Sequence, residues 1–206
     1  MKKKLLVAAL LSAVATGAIA QSQSIPRNYV GIDGGYAFVD IKAEETAQRL
    51  ANLSGRATTV IYDKAAIFGR LFGGINVHKN IDIEAGIFTT GSLTAKYSNS
   101  LGTANESYSA TGFDISAVIR PEPTGFYLKL GAHNTKVEGK ASVTISTTTV
   151  SANASKTGSG LFGAVGYDFK FSNDLVGGFG LSYYDKIGGL SGVNATILSV
   201  GISKKF

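Results

Sequence analysis

Phe72-Gly73-Gly74-Ile75-Asn76-Val77-His78-Lys79-Asn80-Ile81-Asp82-Ile83-Glu84-Ala85-Gly86 alternates apolar with small or polar residues on either side of a short polar break. Successive side chains of an extended strand point to opposite faces, so this spacing separates an apolar row from a polar one. The upstream run, Ala66 to Val77, sets Ile67, Leu71, Ile75 and Val77 against Arg70, Phe72, Gly74 and Asn76. The downstream run, Ile81 to about Ser92, sets Ile81, Ile83, Ala85 and Ile87 against Asp82, Glu84, Gly86 and Phe88. Joined by His78 to Asn80, they read as a β-hairpin.

The pattern repeats in both directions. Upstream, Tyr29 to Ile41 sets Val30, Ile32, Tyr36 and Phe38 against Gly31, Asp33, Gly35 and Ala37. Downstream, strands are expected at Thr111 to Arg120, Phe126 to Asn134, Gly160 to Phe171, Leu175 to about Tyr184, and Ala195 to Phe206. The connections alternate in length. Lys42 to Ala65, Leu93 to Ala110, Thr135 to Ser159 and Asp185 to Asn194 are long; His78 to Asn80, Pro121 to Gly125 and Ser172 to Asp174 are short. Long loops outside, short periplasmic turns and an even strand number characterise outer-membrane barrels. The expected fold is therefore all-β, an eight-stranded antiparallel up-and-down transmembrane β-barrel, with both ends of the chain on the periplasmic side.

A soluble carrier barrel would turn its apolar row inward and carry a charged exterior. Here the second row is mostly Gly, Ser and Ala with isolated charges, which suits a crowded interior and leaves the apolar row to lipid. Tyr29, Phe126, Phe169, Phe171 and Phe206 lie near strand ends on the expected periplasmic side, as an interfacial girdle would. The mature chain contains no long apolar helix, and a closed barrel is the other structure that satisfies every backbone polar group within lipid. Within the loops, Ala43 to Ala51 favours a short helix. The β-branched alternation of Ser142 to Thr147 predicts a hairpin that carries the fifth and sixth strands beyond the membrane, with Ser/Thr-rich edges able to pair with a partner strand.

Lys2, Lys3 and Lys4, the apolar stretch Leu5 to Val14 and Ala18-Ile19-Ala20 match the three parts of a secretory signal. The expected organisation is a signal peptide at 1–20, cleaved after Ala20, a short periplasmic segment at 21–28 and the barrel at 29–206. Taking those three Lys from the 20 basic residues leaves 17 against 14 acidic ones and lowers the formal charge from +6 to +3. The remaining cations are scattered rather than clustered on one face, which argues against nucleic-acid binding. With no Cys in the chain, disulfides and thiolate chemistry are excluded. Gly31 to Gly35 lacks both the spacing and the following helix of a phosphate loop. His133 and His78 lack a suitably placed Ser, so neither forms a hydrolytic triad with it. No enzyme activity, cofactor or metal is expected.

The chain resembles the OmpA-like or opacity-type small outer-membrane β-barrel proteins over essentially its whole mature length. The resemblance is carried by Tyr29-Val30-Gly31-Ile32-Asp33-Gly34-Gly35-Tyr36, by the hairpin quoted above, by Phe126-Tyr127-Leu128-Lys129-Leu130-Gly131 and by Val200-Gly201-Ile202-Ser203-Lys204-Lys205-Phe206. It implies that Phe206, with apolar residues alternating before it and Lys204 interrupting them, acts as the signal read by the β-barrel assembly machinery. Members named for OmpA carry a second, peptidoglycan-gripping domain. Peptidoglycan anchoring is not predicted here, and the resemblance is instead to the stand-alone barrels, whose roles range from membrane integrity to adhesion and defence against host factors.

Counting from the short turns, Glu84 lies four positions after His78 to Asn80 and Lys129 four after Gly125. Arg70, Arg120, Asp168 and Lys170 share their inward parity. The expected site is an interior charge cluster of Arg70, Glu84, Arg120, Lys129, Asp168 and Lys170, against the alternative that Lys129 and Arg120 snorkel toward the periplasm. The resemblance implies the same pairing for Glu84, although the seventh strand offers Gly180 where a charge would sit. Two functions remain open: an envelope-integrity or adhesion protein whose loops meet a host or extracellular ligand, which is favoured, and a narrow channel for small solutes or ions. Expected partners are outer-membrane lipids and lipopolysaccharide, the assembly machinery and a ligand at the loops. A closed barrel has no free edge that requires a neighbour, so a monomer is expected.

Overall fold

Each period-two run becomes a strand, and backbone pairing between neighbours closes them into a ring. The computed structural model describes residues 28–39, 41–121 and 124–206. The expected signal segment, and all of the 21–28 segment but Asn28, lie outside the described residues. The strands are β1 (Tyr29–Val39), β2 (Thr59–Tyr62), β3 (Ala66–His78), β4 (Ile81–Thr90), β5 (Leu93–Asn99), β6 (Gly102–Ile119), β7 (Phe126–Ile145), β8 (Thr148–Lys170), β9 (Leu175–Tyr184) and β10 (Ala195–Lys205). Helix α1 spans Ala43–Ser54. Eight strands form the ring β1-β3-β4-β6-β7-β8-β9-β10, all pairs antiparallel, with β10 returning to β1 from Tyr29↔Lys205 to Val39↔Ala195. This is the eight-stranded barrel that the alternation predicts.

The lipid-facing row is continuous around the ring. Ile32, Ile67, Leu71, Ile87, Phe113, Phe126, Leu161, Phe179 and Val200 are all exposed on its outside. Phe126, Phe169, Phe171 and Phe206 are exposed near the periplasmic end, as a girdle requires. Tyr29 is not among them. It has the parity of Asp33 and is buried inside the barrel, which corrects the expectation drawn from its place at a strand end.

The outward row of β7 marks where the lipid ends: Phe126, Leu128, Leu130 and Ala132 give way to Asn134, Lys136, Glu138 and Lys140. Beyond that level β7 and β8 run on as a hairpin, closed by a turn with Ser146 at φ 55°, as predicted from Ser142 to Thr147. The segment from Leu93 to Ala110, expected as a loop, is instead β5 and the upper half of β6, and β2 adds to β5. These residues lack strong alternation because one of their faces meets α1 and water rather than lipid. The result is a five-stranded sheet, β2-β5-β6-β7-β8, standing above the membrane.

Helix α1 forms over the segment whose composition favours it, with Glu44 and Glu45 in its first turn, where carboxylates complement the helix dipole. It ends at Gly55, whose φ of 64° suits glycine. Its buried Ala43 and Ala47 pack on Ala95 and Tyr97 of β5 and cover one face of the upper sheet at its β2 end.

Candidate functional site

Inward side chains of the ring fill the lumen in two layers. The lower layer is built around Glu84 of β4, which is 0% exposed. Its Oε1 accepts from Lys129 Nζ at 2.6 Å and pairs with Arg70 Nη1 at 2.9 Å; its Oε2 accepts from the Tyr29 hydroxyl at 2.9 Å. Arg70 also grips Asp114 with two bonds, Nε to Oδ2 at 2.9 Å and Nη2 to Oδ1 at 2.6 Å, and reaches Asp33 at 3.4 Å. Nearer the periplasm, Arg120 donates from Nε to Asp168 at 3.0 Å and from Nη1 to Asp82. Buried charges are tolerated when paired and hydrogen-bonded, and each cation here has a carboxylate partner.

Aromatic rings wall this layer. Phe72 lies beneath Arg70 at 5.0 Å and Lys129 at 5.1 Å, and Tyr29 faces Arg120 at 5.0 Å, all within cation–π range. The Tyr127 ring occupies the space beside Gly166 and Gly180, where a Cβ would collide with it. That explains why the seventh ring strand, β9, carries glycine rather than a charge at 180. Among Asp33, Lys129, Tyr127 and Asp168 there remains a cavity of about 30 Å³, room for only a few waters.

The upper layer is aromatic. Tyr184 stacks on Phe162 at 4.9 Å, meets Phe88 at 5.3 Å and takes the edge of His133 at 5.2 Å, with Phe68, Ile187 and Ile197 completing the layer. The Tyr184 hydroxyl donates to Asp114 at 3.3 Å and so ties the two layers together. His133 bonds Thr135 Oγ1 at 2.7 Å and the Asp185 carbonyl at 2.8 Å; a neutral ring donates to the carbonyl and accepts from Thr135. His78 ends β3 beside its turn, far along the strand from this layer.

Of the six residues expected in the charge cluster, Arg70, Glu84, Arg120, Lys129 and Asp168 come together. Lys170 does not: it lies two residues beyond Asp168 toward the periplasm, where it is exposed to water and no carboxylate pairs with it among the described residues. Lys129 has only 9% of its side chain exposed and turns inward to Glu84 rather than snorkelling, whereas Arg120, 26% exposed, forms the rim of the layer. Sequence reading missed Asp33, Asp82, Asp114, Tyr29, Tyr127 and Tyr184. The signal was available, since all six share the inward parity of their strands and the three carboxylates are charges on a lumen-facing row.

Above the membrane, Glu106 accepts from the hydroxyls of Tyr97 and Tyr108, both at 3.1 Å. Burial, followed by the adjacent carboxylate, pushes each phenol up to about 12.

A closed eight-stranded barrel with a lipid-facing apolar row, a filled lumen and an extramembrane sheet defines an integral outer-membrane β-barrel protein. The chain belongs to the outer membrane protein beta-barrel domain family, whose model it matches over residues 6–206. No curated protein matches it. Among solved structures it is similar to Ail, the attachment invasion locus protein of Yersinia pestis, at 16% identity and a TM-score of 0.48, over 87% of this chain and 99% of that one. It is also similar to Neisserial surface protein A, at 15% identity and 0.47, over 89% and 100% of the two chains. OprG from Pseudomonas aeruginosa matches at 12% identity and 0.40, over 90% and 99%.

Proposed function

We propose that this protein is a surface-interaction protein of the bacterial outer membrane, in which a closed barrel serves as an anchor and the sheet above it makes contact. One observation carries the reading: the lumen is filled by an ion-pair layer and an aromatic layer, while β6, β7 and β8 continue past the lipid into an exposed sheet. An eight-stranded barrel has an interior just wide enough for side chains to fill it, so conduction would require the plug to rearrange.

In this reading the segment 1–20 directs export and is cleaved after Ala20. Phe206, exposed on the outside of the β1–β10 seam with its N–H donating to the Asn28 carbonyl at 2.9 Å, is presented to the assembly machinery. The barrel sits as a monomer among lipids and lipopolysaccharide. Planar bilayers containing the purified protein should show no large, steady openings. Cells should lose attachment to matrix or host surfaces when residues 138–155 are replaced by a two-residue turn that leaves the barrel intact. Steady conductance with unchanged attachment would replace this function with the channel reading.

A further inference from the structure

The two edges of the upper sheet differ. At one end β2 is only four residues long, is flanked by Arg56, Asp63 and Lys64, and lies beside α1. Those are devices by which proteins blunt a sheet edge. At the other end β8 pairs with β9 only from Phe162 to Lys170, and the loop around Gly188 and Gly189 packs against it near Lys156 and Gly158. Above that, Thr148-Thr149-Val150-Ser151-Ala152-Asn153-Ala154-Ser155 pairs with β7 on one side and is exposed throughout. It contains no charge, no proline and no bulge.

We propose that this bare edge of β8 pairs antiparallel with the same edge of a second copy of the chain held in an opposing membrane. The inference rests on the surface-interaction reading and names its partner. Asp185 N–H donates to the Leu161 carbonyl at 2.9 Å, so Leu161 turns its backbone groups away from β7. The β7–β8 register runs unbroken from there to Thr148, and backbone direction alternates along a strand. Thr149, Ser151, Asn153 and Ser155 therefore offer their N–H and C=O groups to the open edge. An antiparallel partner uses all four when Thr149 faces Ser155 of the other copy and Ser151 faces its Asn153, which places Ala152 opposite Ala152 on the two-fold axis. Such a ladder has about eight hydrogen bonds, two from each facing pair.

The side chains agree with this register. Lys156 faces Thr148 of the other copy, and the two Lys156 residues stand about 26 Å apart at the usual strand rise, well beyond the ~8 Å screening length. Val60, Tyr97, Ala104, Val143 and Val150 lie in one cross-strand row, of which Val143 and Val150 are exposed although they stand above the lipid. Pairing sets Ala154 of the other copy beside Val150 and continues that apolar row across the contact. Membrane orientation fixes the rest. In copies sharing one membrane β8 runs the same way, so pairing there would be parallel; only copies facing each other across a gap present β8 antiparallel.

The chain lacks cysteine, so engineered thiols report the contact cleanly. Vesicles bearing Thr149→Cys are mixed with vesicles bearing Ser155→Cys under mild oxidation. The expected result is a disulfide-linked heterodimer accompanied by vesicle clustering, with neither variant cross-linking to itself. Ser151→Pro removes an outward N–H without touching the β7 ladder, and should abolish clustering while the unheated gel migration of the folded barrel is unchanged. Three outcomes would overturn the proposal: no heterodimer, cross-linking of Thr149→Cys with itself as in a parallel pair, or clustering that survives Ser151→Pro. Loss of the heterodimer with attachment to matrix retained would reject this partner and leave the surface-interaction reading standing.

Discussion

Replacing Glu84 by Ala removes the carboxylate on which the lower plug converges, and the consequences differ among its partners. Arg70 keeps Asp114 and Asp33, and Arg120 keeps Asp82 and Asp168. Lys129 loses its one carboxylate partner within salt-bridge distance among the described residues and keeps only the longer-range attraction of Asp33, while its ammonium stays enclosed between Phe72 and Tyr127. Stranding one member of a buried pair costs about 3–5 kcal/mol. The reverse change is milder, because Lys129→Met leaves Glu84 with Arg70 at 2.9 Å and the Tyr29 hydroxyl at 2.9 Å. The double variant removes both charges and should recover part of the loss, since a buried ion pair contributes little beyond an apolar replacement of similar volume. Urea titration of the refolded protein, followed by circular dichroism and by the difference between heated and unheated gel migration, orders the three. The expected ranking from least to most stable is Glu84→Ala, the double variant, then Lys129→Met, with the first also raising ion leakage across bilayers. If Lys129→Met is as damaging as Glu84→Ala, or all three match the parent, the plug is not organised around Glu84.

Two further outcomes follow from close packing and from the seam. A Cβ on Gly86 would stand 2.7 Å from Arg70 Nε, so Gly86→Ala should lower stability by about 1–3 kcal/mol through overpacking; the same substitution at Gly34, where a Cβ meets nothing within 4 Å, should be far milder in the same urea titration. Deleting Phe206 should reduce the amount of folded barrel in the outer membrane while export continues, read as accumulation of heat-insensitive protein in the periplasm; unchanged assembly would remove Phe206 from that role.

Alternation with period two is a local property, so the sequence by itself determined the eight ring strands, their faces, the short periplasmic turns and the inward direction of Arg70, Glu84, Arg120, Lys129 and Asp168. It also indicated α1 and the β7–β8 hairpin, whose composition and β-branched spacing speak for themselves. It did not reveal β2 and β5, because a strand bathed by water on one side and touched by a helix on the other has no sharp contrast between its faces. Nor could it say which inward residues meet. Arg70 and Asp114 are 44 positions apart and Arg120 and Asp168 are 48 apart. Which of them share a level depends on the stagger and tilt with which the barrel closes. That closure, made by β1 on β10, sets Tyr29 at the level of Glu84, leaves Lys170 in water below the layer, and gives Tyr127 the space of Gly166 and Gly180. Parity is written in the chain; depth is decided only when the ring is shut.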